Sequence, residues 1–207
     1  MEQKDFNTLD KVIGRVPDFP KKGVLFYDIT GILRHPEEFK YTIDRMCEIY
    51  KDKKIDAVAG IESRGFIFAS CFAERMGIPL ILIRKKGKLP AKTYTQKYDL
   101  EYGSAEIEVH TADVEKGQNI LLIDDLIATG GTLNAAVKLM AQGGAKVTDV
   151  FGVIGLPFLN FKKVLEGIEV TTLVDYMSEM KFAFDEKACV VINACLIFFR
   201  QQRILSS

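Results

Sequence analysis

Two adjacent acids followed by a glycine-rich turn are the most chemically suggestive feature of this sequence. In Ile120-Leu121-Leu122-Ile123-Asp124-Asp125-Leu126-Ile127-Ala128-Thr129-Gly130-Gly131-Thr132, an apolar run leads into Asp124 and Asp125. A buried strand over 119–123 would deliver both carboxylates to the carboxyl edge of a sheet, where open α/β folds bind their ligands. A carboxylate there can accept hydrogen bonds from both hydroxyls of a ribose. The turn Ala128-Thr129-Gly130-Gly131-Thr132 brings backbone N–H groups, with the hydroxyls of Thr129 and Thr132, to the positive end of the following helix. Acid pairs and small-residue turns also serve as N-caps and tight turns. Joined in this order after a buried strand, they fit a ribose at the acids and its 5-phosphate at the turn. The segment lacks both the G-x-x-x-x-G-K spacing and the lysine of a triphosphate loop, and it is not a G-x-G-x-x-G dinucleotide fingerprint.

Three further clusters could share that site. Glu62-Ser63-Arg64-Gly65 follows a short apolar run and opens a helical pattern, so its N–H groups and Arg64 could face an anion. The basic run Arg84, Lys85, Lys86 and Lys88 reads on its own as a solvated loop. Leu100-Glu101-Tyr102-Gly103 reads either as a strand-start turn with an exposed glutamate or as the seat of a carboxylate for acid–base work.

The elements that must position these residues alternate in type between about 37 and 174, which predicts an α/β fold with a mostly parallel central sheet flanked by helices. Helices are expected over 37–50, where Phe39, Ile43, Met46, Ile49 and Tyr50 recur at helical spacing, and over 65–76, ended by Gly77 and Pro79. Others are expected over 132–142, ended by Gly143 and Gly144, and over 160–166. Strands are expected over 57–61, 80–83, 105–109, 119–123, 147–154 and 170–174. The charged stretch 84–98 interrupts the pattern and reads as a flexible functional loop.

Size and composition agree with a globular chain. The 207 residues are 48% hydrophobic and 27% charged, with 28 basic and 28 acidic side chains, so any anion site must be local and no nucleic-acid partner is expected. Cys47, Cys71, Cys189 and Cys195 lack paired zinc spacing and read as free thiols in a reducing compartment. The charged N-terminus has no signal-peptide character, and the apolar run 188–199 is shorter than the roughly 20 residues a membrane span needs. A cytoplasmic location without membrane contact is expected.

With these residues in view, Ile123 to Thr132 resembles the phosphoribosyl pyrophosphate motif of type I phosphoribosyltransferases. Over 12–176 the chain resembles the adenine phosphoribosyltransferases in particular, through the stretches 16–30, 60–69, 82–93 and 100–109. The resemblance implies the type I phosphoribosyltransferase fold with a small N-terminal base-binding hood over 1–36, a core over 37–176, and an extension of unknown role over 177–207. It implies transfer of a phosphoribosyl group from phosphoribosyl pyrophosphate to adenine, giving AMP and pyrophosphate. Asp124, Asp125 and Ala128 to Thr132 would hold the phosphoribosyl group. Glu62, Ser63, Arg64, Arg84 and Lys88 would face the pyrophosphate, with a cis peptide between Glu62 and Ser63, while Lys85 and Lys86 would be solvated.

Glu101 would be the acid–base residue, supported by Tyr102 in a loop that closes over the site. Phe26 would stack on the purine while backbone groups of Leu25 and Tyr27 read its edge. Tyr27 departs from the arginine common in the family, which keeps xanthine or hypoxanthine open as the base. A non-catalytic regulator that binds phosphoribosyl pyrophosphate is the other alternative. The resemblance further implies Mg²⁺ held mainly by substrate oxygens, and a homodimer.

Overall fold

The structure, a computed structural model, describes residues 3–19, 22–100 and 103–178. An N-terminal helix α1 (Gln3–Leu9) leads into a hairpin of β1 (Gly14–Pro17) and β2 (Leu25–Asp28), then α2 (Thr30–Arg34) and α3 (Pro36–Tyr50). The alternating body follows as β3 (Ala57–Ile61), α4 (Gly65–Met76), β4 (Leu80–Lys85), β5 (Thr93–Leu100), β6 (Gly103–His110) and β7 (Asn119–Ile127). It ends with α5 (Gly131–Gln142), β8 (Lys146–Gly155), α6 (Phe161–Val164) and β9 (Glu169–Asp175).

The seven-stranded sheet has the order β5-β6-β4-β3-β7-β8-β9, parallel from β4 to β9, with the antiparallel ribbon β5–β6 at one edge. The mostly parallel α/β architecture expected from the sequence is thus the one observed. Strand β7 shows why its apolar run is continuous. Leu121 and Ile123 enter the core on one face with Met46, Tyr50, Phe68 and Phe72 of α3 and α4. Ile120 and Leu122 enter the other with Leu133, Leu139 and Met140 of α5. A strand covered on both faces has no polar side to show. The N-terminal segment joins the first of these clusters through Leu9, Ile13, Tyr27, Ile29 and Ile32.

Three expectations need correction. The stretch 84–98 is not a loop: Arg84 and Lys85 finish β4, and Thr93 onward forms β5, paired with β6 from Thr93↔His110 to Leu100↔Gly103. Its charges mislead because an edge ribbon keeps polar side chains on its open face. The strand expected over 119–123 runs on to Ile127, so the two acids lie inside it. The helix expected over 160–166 is only Phe161–Val164, entered from Asn160 in the left-handed region at φ 58° and broken at Leu165.

Candidate active site

The register of the sheet explains why the acids are accessible. Pairing of β3 with β7 stops at Gly60↔Ile123, whereas β8 follows β7 to Ile127↔Gly155. From Asp124 onward β7 has therefore lost the neighbour on its β3 side. Chain connections also diverge here, with β3 leading through α4 to β4 on one side and β7 through α5 to β8 on the other. Such a switch point leaves a crevice at the carboxyl ends of the strands. A cavity of about 290 Å³ opens there, lined by Phe26, Glu62, Ser63, Arg64, Arg84, Lys88, Asp124, Asp125, Ala128 and Thr132 among others. Leu25 and Tyr27 also line it. Segments as distant in sequence as the hairpin and the acid pair meet in one concavity.

The Glu62–Ser63 peptide bond is cis, as the resemblance implied. Immediately after it α4 begins at Gly65, against the backbone of β7. A Cβ at Gly65 would lie 2.7 Å from the Ile123 carbonyl oxygen and 3.1 Å from Asp124 Cα, so only glycine allows this approach. The helix start and the acid pair are thereby held side by side. After β7, Gly130 takes φ +80° to turn the chain into α5, no side chain caps that helix, and of the turn only Ala128 and Thr132 line the cavity. The Gly131 N–H points at Thr129 Oγ1 at 3.5 Å, a long contact. The Thr132 hydroxyl donates to the Tyr98 hydroxyl at 3.4 Å, linking the turn to the ribbon.

Electrostatically the site is organised by carboxylates holding cations. Arg64 Nε donates to Asp125, which is 4% exposed, and the same guanidinium carbon lies 5.5 Å from the centre of the Phe26 ring. Arg64 thus bridges the acid pair and the hairpin, in addition to its position beside the Glu62–Ser63 segment. Asp124 is pushed well above the usual carboxylate range, by burial first and by the neighbouring Asp125 next. Glu62 accepts from Lys88 Nζ at 2.7 Å, from the Lys85 N–H at 3.0 Å and from Arg84 at 3.4 Å. Burial alone would raise Glu62, but those donors outweigh it and hold the carboxyl below its usual range.

Lys85 is no solvated residue: it lines the cavity, and burial followed by the Lys88 charge lowers its pKa. Lys86 is bound at 2.8 Å to both oxygens of Glu106. Sequence reasoning also missed Phe19 and Tyr98, which line the same cavity. Phe19 meets Phe26 edge to face at 5.1 Å, while Tyr98 was hidden by the reading of 84–98 as a loop. Alternation in Thr93 to Tyr98 was the available signal. Glu101 and Tyr102 lie outside the described residues, as do Cys189, Cys195 and the apolar run 188–199.

The Tyr27 side chain is 3% exposed and stacks on Tyr176, with ring centroids 3.9 Å apart and planes at 10°. Its ring is committed to the core, so what Tyr27 offers the cavity is main chain. Tyr176 in turn donates its hydroxyl to Asp10 at 2.7 Å and lies 5.5 Å from the Arg15 guanidinium carbon. The hairpin is thus fastened to the end of β9.

A crevice at the switch point, with paired acids, a glycine turn and a ring of cations, is the arrangement of a phosphoribosyltransferase, and residues 28–156 match the phosphoribosyl transferase domain family. The chain is 67% identical over 171 residues to the adenine phosphoribosyltransferase of Treponema denticola, an alignment covering 83% of this chain and 90% of that one. It superposes with a TM-score of 0.80 on the adenine phosphoribosyltransferase of Thermoanaerobacter pseudethanolicus, at 38% identity, covering 82% of this chain and 99% of that one. The Saccharomyces cerevisiae adenine phosphoribosyltransferase, solved with an imino-altritol bisphosphate and adenine, superposes with a TM-score of 0.78 at 35% identity, covering 83% of this chain and 99% of that one. The chain belongs to the adenine phosphoribosyltransferase family.

Proposed function

We infer that this protein transfers the 5-phosphoribosyl group of phosphoribosyl pyrophosphate to adenine, releasing AMP and pyrophosphate in purine salvage. The observation that carries the reading is the cavity joining the Phe26 hairpin, the Glu62–Arg64 segment, Arg84 and Lys88, and Asp124, Asp125, Ala128 and Thr132. Each part suits one part of the reactants. Asp124 and Asp125 bind the ribose hydroxyls, and the Ala128 to Thr132 turn receives the 5-phosphate at the start of α5. Arg84, Lys88 and the N–H groups and guanidinium of Glu62-Ser63-Arg64 face the pyrophosphate. Phe26 stacks on the purine while main-chain groups of Leu25 and Tyr27 read its edge.

In the transfer, the bond from the sugar anomeric carbon to pyrophosphate breaks, the bond to the imidazole-ring nitrogen of adenine forms with inversion, and Glu101 takes the proton from that nitrogen. Tyr102 supports the segment that carries Glu101, and closure over the site excludes water that would hydrolyse the donor.

Among the described residues no group of three or more His, Cys, Asp and Glu could by itself hold a metal ion. The donor set fits Mg²⁺ as a shared ion: one or two carboxylates of the acid pair can supplement substrate oxygens, and a cation there would relieve the crowding that raises Asp124. When bound, Mg²⁺ would neutralise charge on the departing pyrophosphate.

The reading extends to a base-binding hood over 1–36, a core over 37–176 and a C-terminal extension over 177–207 in a homodimer. A cytoplasmic location is supported by the free thiols of Cys47 and Cys71, both raised by burial. Among the described residues no helix is long and apolar enough to cross a membrane.

The test is steady-state transfer with adenine, hypoxanthine, guanine and xanthine as acceptors. Turnover with adenine alone is expected. Turnover preferring an oxopurine would overturn the base assignment, and turnover with none would leave a binding protein.

A further inference from the structure

Glu108 is a buried acid that the transfer reaction does not use. It lies on β6, opposite Arg84 of β4 and Thr95 of β5, is 4% exposed, and does not line the cavity. Its Oε1 accepts the backbone N–H of Lys88 at 2.8 Å and that of Leu89 at 2.7 Å. Burial would raise its pKa, yet the N–H groups of Leu89, Gly87 and Lys88 outweigh burial and lower it. The turn between β4 and β5 is therefore wrapped around one ionised oxygen.

What that turn carries is Lys88, with Gly87 at φ +86° providing the reversal. The Lys88 ammonium reaches Glu62 at the mouth of the cavity, and the Lys88 carbonyl accepts from Arg84 at 3.1 Å. Two of the three cations assigned to pyrophosphate, Arg84 and Lys88, thus meet at one short turn. A turn rich in Lys and Gly has little intrinsic preference for a single shape, and Glu106 holds it only at Lys86. Glu108 fixes the backbone of its second half, at Lys88 and Leu89.

We propose that Glu108 is a positioning residue for the donor: its carboxylate folds the 86–89 turn so that Lys88 and Arg84 converge on the pyrophosphate. The proposal rests on the assignment of Lys88 to the pyrophosphate made above. It separates the two substrates, because nothing in the Glu108 contacts touches the hairpin that receives the base.

The experiment compares Glu108→Ala, Glu108→Gln and Lys88→Ala in the full-length protein, with titration calorimetry of inorganic pyrophosphate, the KM of each substrate and thermal melting. Glu108→Ala removes the acceptor of the Lys88 and Leu89 N–H groups and is expected to weaken pyrophosphate binding and raise the donor KM about tenfold, with the adenine KM unchanged. Glu108→Gln retains an acceptor oxygen without the charge and should fall between Glu108→Ala and the unaltered protein. It also carries the test if the alanine variant does not fold. Unchanged pyrophosphate affinity in a folded Glu108 variant, with Lys88→Ala impaired, would overturn the positioning role alone. Unchanged affinity in Lys88→Ala would remove the assignment beneath it, and the proposal with it. Equal rises in both KM values would reduce Glu108 to a general structural residue.

Discussion

The two walls of the cavity are held by different forces. On the hairpin side, Tyr27 lies flat on Tyr176 in the apolar core and Phe19 meets Phe26 edge to face. On the opposite side, Glu62, Glu108 and Asp125 hold Lys88, the 86–89 turn and Arg64 through hydrogen bonds to carboxyl groups. The first wall draws on ring area and contact, which salt barely affects. The second draws on charge, which ionic strength and acid both weaken. On the proposed assignment, a pocket for an uncharged base and a polyanion is assembled from two materials, each matched to its ligand.

The sharpest way to break this contrast is at its charged extreme. Asp125→Asn weakens the ribose contact and unpairs Arg64, and we expect kcat/KM to fall on the order of 100-fold, equivalent to roughly 3 kcal/mol. A loss under fivefold in steady-state assays would remove the acid pair from the site. Next in size is the aromatic wall. Tyr176→Leu deletes a stacked pair worth about 0.5–1.5 kcal/mol, so the adenine KM should rise about threefold to tenfold while the donor KM holds. Tyr176→Phe keeps the ring, loses only the bond to Asp10, and should be milder. If both substrates suffer alike, the walls are not independent.

The smallest effect is on stability against pH, and it has two signs. Glu62 and Glu108 are held below their ordinary value of 4.5, so their contribution is present above that pH and fades as the pH falls through their folded values. Asp124 is raised above its ordinary 3.8, so its contribution is present below that pH and is lost as the pH rises through the folded value. Asp124→Asn should therefore melt progressively higher than the unaltered protein as pH rises from the acid range, although it binds donor poorly. A melting difference that does not grow with pH would contradict the burial of this carboxyl.

How far the sequence foretold the molecule follows the same division. The α/β order and the limits of β3 and α4 were legible because both faces of the central strands are covered and α4 ends at Gly77. The glycine turn after β7 was legible because only small residues can make it. Strand β5 was not, because Thr93, Thr95 and Lys97 alternate with Tyr94, Gln96 and Tyr98 and look like loop composition. Nor could local pattern show that Arg64 reaches both Asp125 and Phe26, or that Glu108 lies beneath Lys88. Those relations join segments far apart in the chain, and they exist only once the strands are in register. Tyr27 looked like a question about base choice; its stack on Tyr176, equally invisible in sequence, turns that side chain into the core.

The bare hydrogen at Gly65 has a mechanical consequence. With the first turn of α4 seated against the Ile123 carbonyl and Asp124, no gap remains in which the helix start and the acid-bearing strand could slide past one another. Any relative slide of those two pieces would have to break that contact. A motion that admits reactants without breaking that contact would carry the helix start and the acid-bearing strand together.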